Sequence, residues 1–333
     1  MPLNLFDQQK RNIANTRLFI AGFVCLLAFM GLSADGVLYA GGFSPGLPIA
    51  TLGALCLGGF SAWWSLAGGD RAILESTSAI PIDRADPRHR VLENVVEEMA
   101  IAAGMPKPAI FVIPDPDPNA FATGIGPERA SIAVTRGLLE RLDRDELQGV
   151  VSHELSHVRN YDVRLMTVVA ALAGAILLLA DWSRRGLRWG RRGSSEKSGG
   201  LGILFVILWI VSILLAPIIA QIVSFAVSRQ REYLADASGA ELTRNPLGLA
   251  SALEKIAAAV EPTPSIKQGV AHLCIEDPRG RPVNRQEGFV ANLFATHPPV
   301  AKRIAALREM AYQSARTVVA RPVVAARPHP RQK

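Results

Sequence analysis

Two long uncharged stretches near the start of the chain constrain its fold more than any other feature. Leu18–Ala34 and Gly36–Gly69 contain no Asp, Glu, Lys or Arg. Runs of this kind belong in a bilayer, where ~20 apolar residues in a helix cross a hydrocarbon core of about 30 Å. The sequence therefore predicts a helical hairpin in the membrane, turning around Asp35–Pro48. Lys10, Arg11 and Arg17 also give the first stretch the layout of a signal peptide. The second stretch follows at once, however, and would hold the chain in the membrane anyway. Two more uncharged stretches lie later, Leu165–Ala180 with 16 residues and Leu201–Ser228 with 28. At ~1.5 Å per residue the shorter reaches about 24 Å, which is marginal for a span, and a buried helix or a tilted intramembrane hairpin is its alternative; the longer is ample.

The formal net charge of +7 could point to nucleic acid, but its placement argues against that. Residues 181–200 hold six basic side chains (Arg184, Arg185, Arg188, Arg191, Arg192 and Lys197) against Asp181 and Glu196, and the tail from Arg316 to Lys333 holds five basic residues and no acid. One segment is rich in Gly, Ser and Arg and the other in Pro and Arg, so both read as disordered and suited to resting on anionic lipid. Nucleic acid is not an expected partner. Of three cysteines, Cys25 and Cys56 fall in the predicted spans and Cys274 stands alone in a polar stretch. That leaves no disulfide framework and no cysteine-based metal site.

The chain divides into residues 1–69, the membrane hairpin; 70–162, a folded segment; 163–228, the second hydrophobic pair with its basic loop; 229–315, a second folded segment; and the tail, 316–333. In the first folded segment, Val91, Leu92, Val95 and Met99 recur at helical spacing over Pro87–Ala103, and Gly104 and Pro106 supply the stop. Ala109–Ile113, Asn119–Thr123 and Ser131–Thr135 read as strands of a small sheet, the last two joined across Gly124–Arg129. Asp143, with Glu146 three residues on, has the capping-box pattern for a helix running to about Asn160. After residue 228, helices are predicted near Arg229–Thr243, over Pro246–Val260 and over Pro298–Tyr312, with a loop to about Glu287. The two folded segments must meet on one side of the membrane, which needs an even number of crossings between them.

The capped helix carries His153-Glu154-Leu155-Ser156-His157. Imidazoles four residues apart on a helix share a face and can grip one zinc ion, with the intervening Glu154 placed as a base. A zinc hydrolase needs three protein ligands and an open position for water, so one more ligand must come from elsewhere. Glu232, Glu241, His272 and His297 are candidates. Glu232 stands out because Asp236 lies one helical turn away: one carboxylate can bind metal while the other accepts a ligand histidine's free ring N–H.

His153–His157, the run Ser228-Arg-Gln-Arg-Glu-Tyr-Leu-Ala-Asp236, Asn119-Ala-Phe-Ala-Thr-Gly124 and Thr296-His-Pro-Pro-Val-Ala-Lys-Arg-Ile304 resemble, residues and order alike, the HtpX-type membrane zinc metalloproteases. The resemblance covers nearly the whole chain, from the N-terminal spans to about Arg308. It implies an α-helical membrane protein with an α+β, zincin-like catalytic domain that is mostly helical and has a small sheet. It further implies one Zn2+ per chain with Glu232 as third ligand. Asn119 and Ala120 would lie on the edge strand that receives substrate, and His297 and Arg303 would approach the reaction centre. The expected activity is endopeptidase cleavage of misfolded or surplus membrane proteins, as quality control, in a multi-pass protein of the bacterial inner membrane with its catalytic domain facing the cytoplasm.

Charge bias agrees for the N-terminal hairpin, since Lys10, Arg11 and Arg17 mark the inside. It disagrees for residues 181–200, which lie outside if both later stretches cross, as expected here, and inside if Leu165–Ala180 enters without crossing. A prenyl-protein CAAX endoprotease shares the zinc motif but is built with more spans than four hydrophobic stretches supply. A non-catalytic zinc-binding membrane scaffold would have no use for Glu154.

Overall fold

The computed structural model describes residues 5–40, 42, 46–168, 207, 210, 229–259, 273–276 and 298–319. The basic loop 181–200, nearly all of the second hydrophobic pair, and His272 and His297 lie outside the described residues.

Two long helices, α1 (Leu5–Ala40) and α2 (Ile49–Ser76), form the N-terminal hairpin. Both are long and apolar enough to cross a membrane, with candidate spans of 29 and 28 residues. Phe23, Leu27 and Met30 are buried, whereas Leu18, Phe29, Leu32, Phe60, Trp63 and Trp64 face outward, as side chains touching lipid would. The turn is shorter than the sequence predicts, because α1 runs on through Asp35 to Ala40. Asp35 serves a different purpose: its carboxylate accepts from the backbone N–H groups of Ala50 (2.8 Å) and Thr51 (2.9 Å) and from the Thr51 hydroxyl (2.7 Å). It thereby satisfies amides in the first turn of α2 that have no partner within the helix.

The folded segment begins with a two-residue strand, β1 (Ile80–Pro81), and α3 (Pro87–Ala103). Asp86 accepts from the Arg88 N–H, Pro87 opens the helix, and Gly104 closes it at φ 67°. The buried stripe is Leu92, Val95, Val96 and Met99; Val91, expected in it, is 42% exposed. The stripe is thus i, i+3, i+4, i+7 counted from Leu92.

Strands β2 (Ala109–Ile113), β3 (Ala120–Gly126) and β4 (Arg129–Thr135) complete a four-stranded sheet of order β1-β2-β4-β3. β2 and β4 are parallel and the other pairs antiparallel, so β3 is an edge. The β3–β4 connection is tighter than predicted, with strand structure reaching Gly126 and resuming at Arg129. A short helix, α4 (Arg136–Arg141), leads into α5 (Arg144–Arg159), and residues 162–168 are helical again.

Beyond the second hydrophobic pair come α6 (Arg229–Thr243), α7 (Pro246–Ala258) and α8 (Val300–Val319). The last helix runs past Tyr312, so the first four residues assigned to a disordered tail are helical; residues 320–333 lie outside the described set. One apolar core unites Leu92, Val95 and Met99 of α3, Ile132 and Val134 of β4, and Val150, Val151 and Leu155 of α5 with Leu249, Leu253 and Ile256 of α7 and Leu307 of α8. The segments before and after the second hydrophobic pair therefore form one domain around α5.

Candidate metal centre

Helix α5 is built for burial. Asp143 accepts from the Glu146 N–H at 3.0 Å, and the Glu146 carboxylate accepts from the Asp143 N–H at 2.9 Å, closing the predicted capping box. From Leu147 to Val158 every side chain is buried except Gln148. His153 and His157 lie on one face, with ring centroids 4.8 Å apart and Nε2 atoms 3.2 Å apart.

Helix α6 crosses this face closely because Gly239 has no side chain. A Cβ there would sit 3.0 Å from the His153 backbone nitrogen and 3.2 Å from its Cα. The crossing brings Glu232 in, its Oε2 3.8 Å from His153 Nε2 and its Oε1 3.5 Å from His157 Nε2. One ligand atom from each of His153, His157 and Glu232 falls within 4.8 Å of the others, and all three residues are buried.

Each imidazole hands its other nitrogen to a carboxylate. His153 Nδ1 meets Asp236 Oδ1 at 3.0 Å, and His157 Nδ1 meets Asp162 Oδ2 at 3.2 Å. These contacts hold the Nδ1 protons and leave both Nε2 lone pairs facing Glu232. Asp236 is itself gripped by Arg303 from α8, Nε to Oδ2 at 2.8 Å and Nη2 to Oδ1 at 2.7 Å. Arg303 is fully buried, and its Nη1 also donates to the Ile275 carbonyl at 3.0 Å and lies 3.4 Å from Glu232 Oε2.

The electrostatics follow from this crowd of carboxylates. Burial would raise Asp236, but Arg303 overcomes it and holds the carboxyl down at about 2. Burial works to lower Arg303, and Asp236 outweighs it and raises the guanidinium. Burial would likewise lower the His157 imidazole, but its bond to Asp162 and the charges of Glu232 and Glu154 push it up to about 9. The site draws positive charge to the His157–Glu232 cluster, and a divalent cation held by His153, His157 and Glu232 would meet that demand.

Glu154 stands beside them, 2% exposed. Burial pushes its carboxyl up, against the pull of both imidazoles and with help from Glu232. Its Oε1 has no hydrogen-bond partner among the described residues. A buried carboxylate oxygen left in this way calls for a water or a proton.

Edge strand β3 passes this carboxylate. The Thr135 N–H donates to the Asn119 carbonyl at 2.9 Å, so alternate residues direct their backbone groups away from β4. The Ala122 N–H, directed this way, donates to Glu154, and the Ala120 carbonyl accepts from the Ile275 N–H at 2.9 Å. Phe121 and Cys274 form an antiparallel bridge, and Asn119 Nδ2 donates to the Glu276 carbonyl at 3.0 Å. Residues 274–276 thus lie along the outer edge of β3, touching it through one bridge and two flanking hydrogen bonds. Cys274, expected in a polar stretch, is 1% exposed and packs with Phe121, Ile113 and Leu273.

Of the residues singled out from sequence, the fold brings together His153, Glu154, His157, Glu232, Asp236 and Arg303, with Asn119 and Ala120 on the adjoining edge. Glu241 is exposed on α6 and takes no part. Sequence reasoning missed Asp162, whose one local signal is its place just past the end of α5. It also missed Asn12 of α1, whose Nδ2 donates to Asp162 Oδ1 at 2.7 Å and to the Asn160 carbonyl at 2.8 Å.

Residues 86–311 match Peptidase family M48. "Protease HtpX homolog" proteins of Caldanaerobacter subterraneus subsp. tengcongensis and Thermoanaerobacter pseudethanolicus are 43% and 42% identical over 309 and 308 residues, covering 92% of this chain and 98% of each relative. The protein of the same name from Streptococcus uberis is 39% identical over 311 residues, 92% of this chain and 100% of that one. A solved structure, S. mikatae Ste24p, aligns at a TM-score of 0.48 with 19% identity, covering 91% of this chain and 66% of that one. By the family match and the curated relatives the chain belongs to peptidase family M48 and, within it, to the HtpX-type membrane metalloproteases.

Proposed function

We propose that the protein is a zinc-dependent endopeptidase of the bacterial inner membrane, multi-pass, with its catalytic domain on the cytoplasmic side, and that it cuts misfolded or surplus membrane proteins. The observation that carries this reading is the buried convergence of His153, His157 and Glu232 beside Glu154, whose Oε1 has no hydrogen-bond partner among the described residues. Zinc held by those three residues would supply Lewis-acid chemistry, lowering the pKa of a bound water to near neutrality. Glu154 takes the proton of the attacking water and delivers it to the leaving amine. Its raised affinity for protons suits both halves of that task.

Edge strand β3 supports an extended peptide as substrate, because main-chain pairing is tolerant of side-chain identity. Residues 273–276 already pair with the edge at Ala120 and Phe121, so a substrate strand reaches these groups by displacing or extending that segment. Arg303 commits its donors to Asp236 and the Ile275 carbonyl. That supports a part in holding Asp236 and the 273–276 segment beside the reaction centre.

Glu154→Gln tests the reading. The purified variant should keep one zinc per chain and lose cleavage of a membrane-protein substrate by at least about a hundredfold. Wild-type cleavage rates in that variant would sink it.

A further inference from the structure

Asn12 sits on α1 ahead of the first uncharged stretch, 3% exposed, and spends its side-chain amide on residues 148 and 150 positions further along the chain. Its Nδ2 carries two hydrogens, and both are used: one on Asp162 Oδ1 and one on the Asn160 carbonyl, at 2.7 and 2.8 Å. These acceptors belong to the turn that ends α5, where Tyr161 takes a left-handed φ of 60° just before the 162–168 helix. Asp162, 1% exposed, presents its other oxygen to His157 Nδ1 at 3.2 Å. Arg231 of α6 also approaches it, Nη1 to Oδ1 at 3.7 Å, too long for a hydrogen bond.

We infer that Asn12 and Asp162 are positioning residues for the metal site, joined in a relay Asn12–Asp162–His157 that fixes the second histidine from the first membrane helix. The inference rests on the zinc reading above. Asp162 accepts a hydrogen bond from the Nδ1–H of His157, which keeps the Nε2 lone pair aimed at Glu232 and His153. Asn12 in turn fixes the carboxylate: with both amide hydrogens spent on the turn, Asp162 cannot rotate off the imidazole without leaving a buried donor unpaired. The N-terminal hairpin is then more than an anchor, since withdrawing α1 from the 160–162 turn loosens a metal ligand 145 residues further along the chain.

The test uses the full-length protein in detergent, loaded with zinc or with cobalt. Zinc loss to a chromogenic chelator and the visible spectrum of the cobalt form are read for Asp162→Ala, Asp162→Asn, Asn12→Ala and the Asn12→Ala/Asp162→Ala double variant. Asp162→Ala is expected to weaken metal retention ~10- to 100-fold and to shift the cobalt bands. Asp162→Asn, which keeps the volume, should fall between it and wild type, and Asn12→Ala should act in the same direction by a smaller factor. Because Asn12 works through Asp162, the double variant should be no worse than Asp162→Ala alone. Additive losses would overturn the relay, as would an Asn12→Ala protein that melts earlier yet keeps the wild-type zinc release rate and cobalt spectrum. A wild-type protein that takes up neither metal would overturn the zinc reading itself, a failure visible before any variant is compared.

Discussion

His153 and His157 each hand Nδ1 to a buried carboxylate, yet the two supports are made from different parts of the molecule. Behind His153 stands an ion pair inside the catalytic domain: Asp236 of α6 against Arg303 of α8, with two bonds of 2.7 and 2.8 Å. Behind His157 stands a neutral amide from the N-terminal hairpin, Asn12, on Asp162. The first support buries opposite charges that depend on each other, so losing one strands the other. The second is a tether that can let go at the cost of a hydrogen bond. One histidine is fixed by the core of the domain, and its neighbour is tied to the helix that meets the membrane.

The largest expected effect breaks the first support. Asp236→Ala leaves the Arg303 guanidinium buried with its bidentate partner gone, which should cost ~3–5 kcal/mol of stability. Asn12→Ala, which removes hydrogen bonds to a carboxylate and a carbonyl, should cost about 1.5–3 kcal/mol. Denaturant unfolding in detergent measures both. Equal losses would erase the contrast between a charge lock and a tether. Adding Arg303→Met to Asp236→Ala should recover much of the stability, since the stranded charge is then gone, while leaving zinc retention poor because His153 Nδ1 still lacks its acceptor.

How far these supports could be read from sequence depends on the distance they span. His153 with His157 and Glu232 with Asp236 are each four residues apart, so helical geometry alone puts both members of a pair on one face. The Asp143–Glu146 box is local too, and the structure has it as expected. What could not be read is set by packing between distant segments. A single Asn in a membrane helix has no periodic signature, and its bond to Asp162 crosses 150 residues. Arg303 is expected near the reaction centre, but the sequence does not show that Asp236 claims its donors. Asp35 looked like a turn residue because helices in a hairpin commonly stop near a charge, yet here the charge caps the neighbouring helix. Residues 273–276 alternate in no useful pattern, and their place on β3 comes from main-chain bonds to Ala120 that any residue could make.

A middle-sized effect sharpens the comparison on the His153 side. Gly239 lets α6 approach so closely that an added Cβ would lie 3.0 Å from the His153 backbone nitrogen. That neighbour is helix backbone and cannot swing aside, so Gly239→Ala should wedge α6 off α5 at ~1–3 kcal/mol. Glu232 and Asp236 ride on α6, whereas Asp162 follows α5 directly. The variant should therefore disturb the His153–Asp236 contact and the third ligand while sparing His157–Asp162. Because Glu232 faces both Nε2 atoms, the Nδ1–H resonances of the purified protein are the ones that would report this, His153's shifting more than His157's. Shifts of equal size at both would mean that the two supports do not move independently.

The smallest effect serves as the control, because it should touch both supports alike. Asp143 caps α5 roughly three turns before His153, and its side chain serves the Glu146 N–H. Asp143→Ala should cost ~1 kcal/mol through the lost cap. Fraying is confined to the first turn, however, since Val150, Val151 and Leu155 are fully buried and hold the rest of α5 in the core. Zinc retention should stay at the wild-type level while the melting temperature falls by a few degrees. A cap variant that released zinc would mean that both histidines depend on the length of α5 itself, and the separate supports from Arg303 and Asn12 would then be secondary to it.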